Sequence, residues 1–174
     1  GLTKATINNV TVENKGMLRV DSIANNVTLK SGTLSVYGGV IDGVQMTGGA
    51  VANYGSHRGK ISNATFSCVE PGTAALGVDA GSIDWVNVTV EAGFSGYTVF
   101  GAGCTVDGLY ASSNVNVGKC TTVANVEIHD GAVLTNYDGA AINGLAIYGD
   151  GMKSWAQCTT GSVTNLSLFG DAKY

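Results

Sequence analysis

The chain has 174 residues, 44% of them apolar and only 13% charged, with 26 glycines, one proline and a formal net charge of −4. Glycine stands at about twice its usual ~7% and charge falls well below the ~25% typical of soluble proteins, which argues against a helical bundle and an acidic disordered tail alike. Nine Lys plus Arg leave no basic footprint for a phosphate backbone, so nucleic acid is a poor partner, and no run reaches the ~18–20 apolar residues that span a bilayer.

Taken in chain order, one six-residue pattern recurs: apolar, any, Asn or Gly, apolar, any, apolar. It reads INNVTV at 7–12, ANNVTL at 24–29, IDGVQM at 41–46, ISNATF at 61–66 and IDWVNV at 83–88. It continues as VDGLYA at 106–111, VANVEI at 123–128, INGLAI at 142–147 and VTNLSL at 163–168. The nine copies begin 17 to 23 residues apart, about 19.5 on average. Asn9, Asn26, Gly43, Asn63, Gly108, Asn125, Gly144 and Asn165 hold the third position, with Trp85 as the exception.

A looser segment follows each copy, as in GTLSVY at 32–37, GAVANY at 49–54 and GAVLTNY at 131–137. Both segments alternate in steps of two and are rich in Val, Ile, Thr and Tyr, as half-buried strands are. Like strands at a near-constant period stack in register, each coil above the last. We therefore expect an all-β parallel β-solenoid of about nine coils, roughly 19 residues per coil.

The first and fourth motif positions have opposite parity and cannot share one face of a flat strand. A bend at the third position reconciles them, and Asn and Gly are the residues that tolerate left-handed backbone there. The inner column is then Val10, Val27, Val44, Ala64, Val86, Leu109, Val126, Leu145 and Leu166, stacked about 4.8 Å apart in a rod roughly 43 Å tall. The opening residues lack the regions of a signal peptide, Gly1 reads as the scar of a cleaved tag, and neither end carries a cap. We expect residues 1–174 to be one solenoid block taken from a longer protein.

Four cysteines lie at 68, 104, 120 and 158, without CxxC spacing. Cys104 and Cys120 fall near the same corner of adjacent coils, within the separation that a disulfide bridges; otherwise they are two small buried residues of a stacked column. Asp42, Asp84 and Asp107 are read at the second motif position. Asp84 and Asp107, on adjacent coils, form the sharpest catalytic pair, since two carboxylates about 5 Å apart cleave glycosides. The stronger reading of Asp at a bend is turn chemistry. His57 and His129 are isolated.

Asn-X-Ser/Thr sequons at Asn9, Asn26, Asn63, Asn87 and Asn165 mostly coincide with the bend and follow from it. Gly149-Asp150-Gly151 hints at a calcium turn but occurs once, without the tandem repeats such sites need. Tyr37, Tyr54, Tyr97, Tyr137 and Tyr148 fall near strand ends, either as a stacking stripe for sugars or as corner packing. No cofactor or metal is called for.

The stretch from Ser31 to Gly55, with Gly32-Thr-Leu-Ser-Val-Tyr, Gly38-Gly39, Gly48-Gly49 and Ala50-Val51-Ala52, resembles the AIDA-type repeats of autotransporter adhesin passenger regions. The resemblance is strongest in the first three coils, moderate at 131–137 and 142–147, and weak over 56–122. It implies a right-handed, surface-exposed solenoid, exported by a C-terminal barrel, whose Ser and Thr residues can carry heptose. The expected function is thus a non-enzymatic, extracellular adhesin-like or self-associating scaffold that binds host surface, glycan or itself, without membrane insertion of this segment. The alternatives are a polysaccharide-acting β-helix enzyme or phage tailspike segment using Asp84 and Asp107, and an inert spacer.

Overall fold

A computed structural model describes residues 5–53, 57–67, 78–79, 83–91, 98–151 and 153–174. Tyr54, Cys68 and Tyr97 lie outside the described residues.

Nine parallel strands form one long sheet: Thr6–Val12, Ile23–Leu29, Val40–Met46, Gly59–Phe66, Ile83–Val90, Thr105–Ala111, Thr122–Ile128, Ala141–Gly149 and Ser162–Gly170. These are rungs one to nine. The segments between them build two four-stranded parallel sheets. One contains Met17–Val20, Thr33–Val36, Ala50–Ala52 and Val78–Asp79; the other contains Thr98–Val99, Val115–Asn116, Val133–Asn136 and Trp155–Cys158. In the long sheet each strand pairs with the next copy of the repeat, so the chain is an all-β parallel solenoid with coils about 19 residues apart. It makes about seven turns, slightly fewer than the nine coils expected.

Motif positions one, four and six point inward. From rung two to rung eight all are at most 2% exposed, from Ala24, Val27 and Leu29 to Ile142, Leu145 and Ile147. At rung nine the same positions open to solvent, with Leu166 39% and Leu168 48% exposed. Burying each Val, Leu or Ile contributes about 1.5–3 kcal/mol, so three continuous apolar columns carry most of the stability. Beyond the columns, two coil corners are tied locally by a buried asparagine. Asn136, fully buried, donates through Nδ2 to the Ala140 carbonyl at 2.9 Å and accepts from the Ala140 N–H at 3.1 Å. Asn53, its counterpart four coils earlier in the looser segment, donates to the His57 carbonyl at 2.9 Å.

Rung five corrects the expected register by two residues. Leu109 pairs with Val88, and Ala64 also pairs with Val88. The fifth copy is therefore Trp85-Val86-Asn87-Val88-Thr89-Val90, with Trp85 first and Asn87 at the bend. Val88 replaces Val86 in the inner column, and Val86, half-buried, sits on the outer face beside Ser62 and Asp107. Trp85 is fully buried and packs edge-on against Phe66 and Phe100, each ring centroid 5.7 Å away.

Candidate functional site

With rung five corrected, every third-position residue has positive φ. The asparagines Asn9, Asn26, Asn63, Asn87, Asn125 and Asn165 lie at 54–57°, and Gly43, Gly108 and Gly144 at 77–79°. A left-handed residue inside a strand turns the chain while both flanks stay extended, so positions one and four both reach the core. Stacked rung on rung, these bends crease the outer face of the long sheet into a groove along the solenoid axis. All five sequons fall in this column.

Within the crease, side-chain amides form a ladder. Asn26 Nδ2 donates to Asn9 Oδ1 at 3.1 Å and Asn87 Nδ2 to Asn63 Oδ1 at 3.2 Å. A glycine at the bend removes the acceptor, and the residue before it supplies another. Asn63 donates to Asp42, and Asn125 to Asp107, each at 2.7 Å, while Asn165 donates to Asn143 at 2.9 Å. In all three glycine rungs the second position is Asp or Asn, so the ladder is kept by shifting its acceptor one residue back.

The missing side chains leave notches. Three open depressions of about 300, 260 and 220 Å³ centre on Gly108, Gly144 and Gly43 respectively. The first is lined by Asn87, Thr89, Tyr110, Asn125 and Glu127, and the second by Asn125, Glu127, Asn165 and Ser167. No Lys or Arg lines any of the three.

No protein family, curated protein or solved structure matches this chain. Its chemistry must therefore be read from its own side chains.

The register does not set Asp84 and Asp107 side by side in one motif column, where the repeat had placed them. Asp84 is aligned with Thr105, whereas Asp107 is aligned with Val86, two residues further along the strand. Asp84 instead receives Arg58 through Nε at 2.8 Å and through a close contact from its terminal nitrogen, and it accepts from the Thr105 hydroxyl. The Arg58 hydrogen bonds hold its carboxyl below the usual range, against an opposing desolvation. A carboxyl whose folded pKa is lowered adds stability above its unfolded pKa, and that stability is lost as pH falls through the folded value. Both partners are partly exposed, so the pair contributes at most about 1 kcal/mol. The melting-temperature gap between wild type and Asp84→Asn is therefore expected to be small at neutral pH and to close as pH drops below about 4.

Cys104 and Cys120 are neighbours, both buried, and stand as free thiols, the second of the two readings that the sequence left open. The Thr121 N–H donates to the Cys104 carbonyl at 2.8 Å, so Cys104 is level with Thr121 and Cys120 lies one residue out of line. The two share a hydrogen bond that, together with burial, pushes the Cys120 thiol far up. We expect Cys104 and Cys120 to resist iodoacetamide in the folded protein at neutral pH and to react once it is unfolded, as read by peptide mass mapping. Cys158 is half-buried beside Asn136 and Tyr174, and burial raises its pKa.

Of the tyrosines expected at strand ends, Tyr37 packs under Arg19 at 4.1 Å and against His57, and Tyr137 donates to Gln157 at 2.7 Å. Among the described ones only Tyr148 belongs to a stack, which runs through Tyr110, His129, Tyr148 and Phe169, with centroids 4.6, 4.2 and 4.6 Å apart. His129, Tyr148 and Phe169 each follow the sixth motif residue, the one signal that could have found it. Glu127 Oε2 lies 3.2 Å from His129 Nε2. Gly149-Asp150-Gly151 is a tight local turn, the Gly151 N–H reaching the Gly149 carbonyl at 2.7 Å. Among the described residues no three His, Cys, Asp or Glu side chains are grouped to hold a metal.

Proposed function

We infer that this chain is a non-enzymatic scaffold of the adhesin type, a rod working outside the cell that presents one long repetitive flank to a host surface, a glycan or another rod. The observation that carries this reading is the creased outer face of the long sheet, where exposed or half-buried Asn, Thr, Ser and Gln side chains recur rung after rung in register. Such a surface suits many weak, equivalent contacts whose effects multiply when several engage at once. The resemblance of residues 31–55 to AIDA-type repeats supports the same reading and a bacterial surface location.

Displaying the chain on a non-adherent bacterium tests it. The expected result is faster settling of the culture or retention on host-cell or glycan-coated surfaces, relative to an unrelated displayed protein. Unchanged settling and retention would count against the scaffold reading. Turnover of a polysaccharide by the purified chain would favour the enzyme alternative instead.

A further inference from the structure

We propose that the notches at Gly108 and Gly144 are paired subsites for an uncharged, extended glycan chain lying along the solenoid axis. This deepens the adhesive reading and rests on it. The two notches are two rungs apart, about 10 Å at the spacing of hydrogen-bonded strands, close to the length of a disaccharide in an extended polysaccharide. Asn125 and Glu127 form the wall common to both, so the pair is one trough with a repeat matching its ligand.

The polar groups in the trough are aimed at the space that the glycines vacate. A Cβ on Gly108 would lie 3.1 Å from Asn87 Oδ1, and one on Gly144 would lie 3.6 Å from Asn125 Oδ1. At an asparagine rung this oxygen takes the next amide, as Asn63 Oδ1 takes Asn87. At a glycine rung that donor is withdrawn, leaving a fixed acceptor for a hydroxyl or acetamido N–H of the ligand. The Ser167 and Thr89 side chains and the Glu127 carboxylate add further hydroxyl partners along the trough.

Tyr110 supplies the apolar contact that sugar rings need. One face of its ring is taken by His129 at 4.6 Å, and the ring lines the Gly108 notch, which suits stacking against a pyranose. Charge narrows the ligand class. Glu127 lines both notches, Asp107 immediately precedes Gly108, and no cation lines either, so a polyanion such as a uronate polymer or nucleic acid is repelled. No aromatic residue lines the Gly43 notch.

The test is an NMR titration of the isotope-labelled chain with hexasaccharides of β-linked glucose, mannose and N-acetylglucosamine, with hexagalacturonate as the anionic probe. The expected result is that at least one neutral hexasaccharide, at up to ~1 mM, moves the Gly108 and Gly144 amides and the side-chain amides of Asn87, Asn125 and Asn165. Six other bends hold asparagine, so the double variant Gly108→Asn, Gly144→Asn fills the trough with a residue the fold accepts. It is expected to stay folded, with a melting temperature at or slightly below that of the wild type, and to weaken binding about tenfold or more. Tyr110→Leu is expected to weaken binding with Gly108 and Gly144 intact, and Gly43→Asn to leave it unchanged.

Shifts confined to other residues, undiminished binding in the double variant and in Tyr110→Leu, tighter binding of hexagalacturonate, or no shift with any hexasaccharide would each overturn the proposal. Retained adherence of the displayed double variant, with no glycan binding by the wild type, would sink the trough alone and leave the scaffold reading standing.

Discussion

Trp85→Ala is expected to cost about 3–5 kcal/mol of unfolding free energy, lowering the melting temperature by about 6–20 °C. The indole is fully buried inside rung five, with Phe66 and Phe100 packed edge-on at 5.7 Å and those two rings 6.4 Å from each other. Truncation removes the largest side chain of this cluster, and the parallel sheets around it are pinned by rungs above and below, so the cavity cannot close. Trp85 Nε1 is buried without a hydrogen-bond partner, a cost of about 1–3 kcal/mol already present in the wild type. Trp85→Phe sheds that cost while keeping most of the ring volume, and should therefore lose far less. Thermal and urea unfolding followed by circular dichroism checks both variants. A melting temperature for Trp85→Ala within about 2 °C of wild type would mean that Trp85 is not in the core.

The second large effect is expected at the bend of the same rung. Asn87 has φ 55° and donates to Asn63 at 3.2 Å. A β-branched residue tolerates that backbone poorly, so Asn87→Val should destabilise by about 2 kcal/mol. Asn87→Gly keeps the backbone geometry and loses only an exposed ladder bond, costing about 0.5 kcal/mol. Val86→Thr, one residue earlier on the outer face, should change stability by no more than about 0.5 kcal/mol. The order Val far below Gly at position 87, with position 86 indifferent, distinguishes the observed register from one in which Trp85 makes the bend. Equal unfolding midpoints for all three variants would contradict it.

That misplacement shows how far the sequence could be read. The coils, their period, the inward columns and eight of the nine bends follow from one pattern, because an apolar column must recur in every copy and a left-handed position admits few residue types. Rung five defeats the same logic. Ile83-Asp84 imitates the Ile41-Asp42 that opens rung three, and a strand pattern of period two looks the same after a slip of two residues. The left-handed residue breaks the tie, and Asn87 was present but out of frame. With the frame restored, Asp84 moves out of the second position and becomes the partner of Arg58, a residue that precedes rung four and matches nothing in the repeat.

The candidate site was legible in pieces. The glycine bends were visible, but the notches appear only when neighbouring asparagines reach past them to Asp107 and Asn143. Tyr110 at the fifth position meets His129 one step beyond the sixth, a diagonal contact that columns of like positions do not reveal. The thiols were placed at the right corner, but a one-residue offset set by the turn before rung seven keeps them from lining up.

The central claim is a parallel stack with a left-handed residue at the third motif position of every rung, and inter-strand NOEs in the isotope-labelled chain test it most directly. The account predicts contacts joining Val88 to both Ala64 and Leu109, repeated for Val27 with Val44 and Val126 with Leu145, together with amide couplings at Asn87 and Asn125 typical of positive φ. Contacts that join consecutive segments as antiparallel hairpins, or that link Leu109 to Val86 instead, would contradict it.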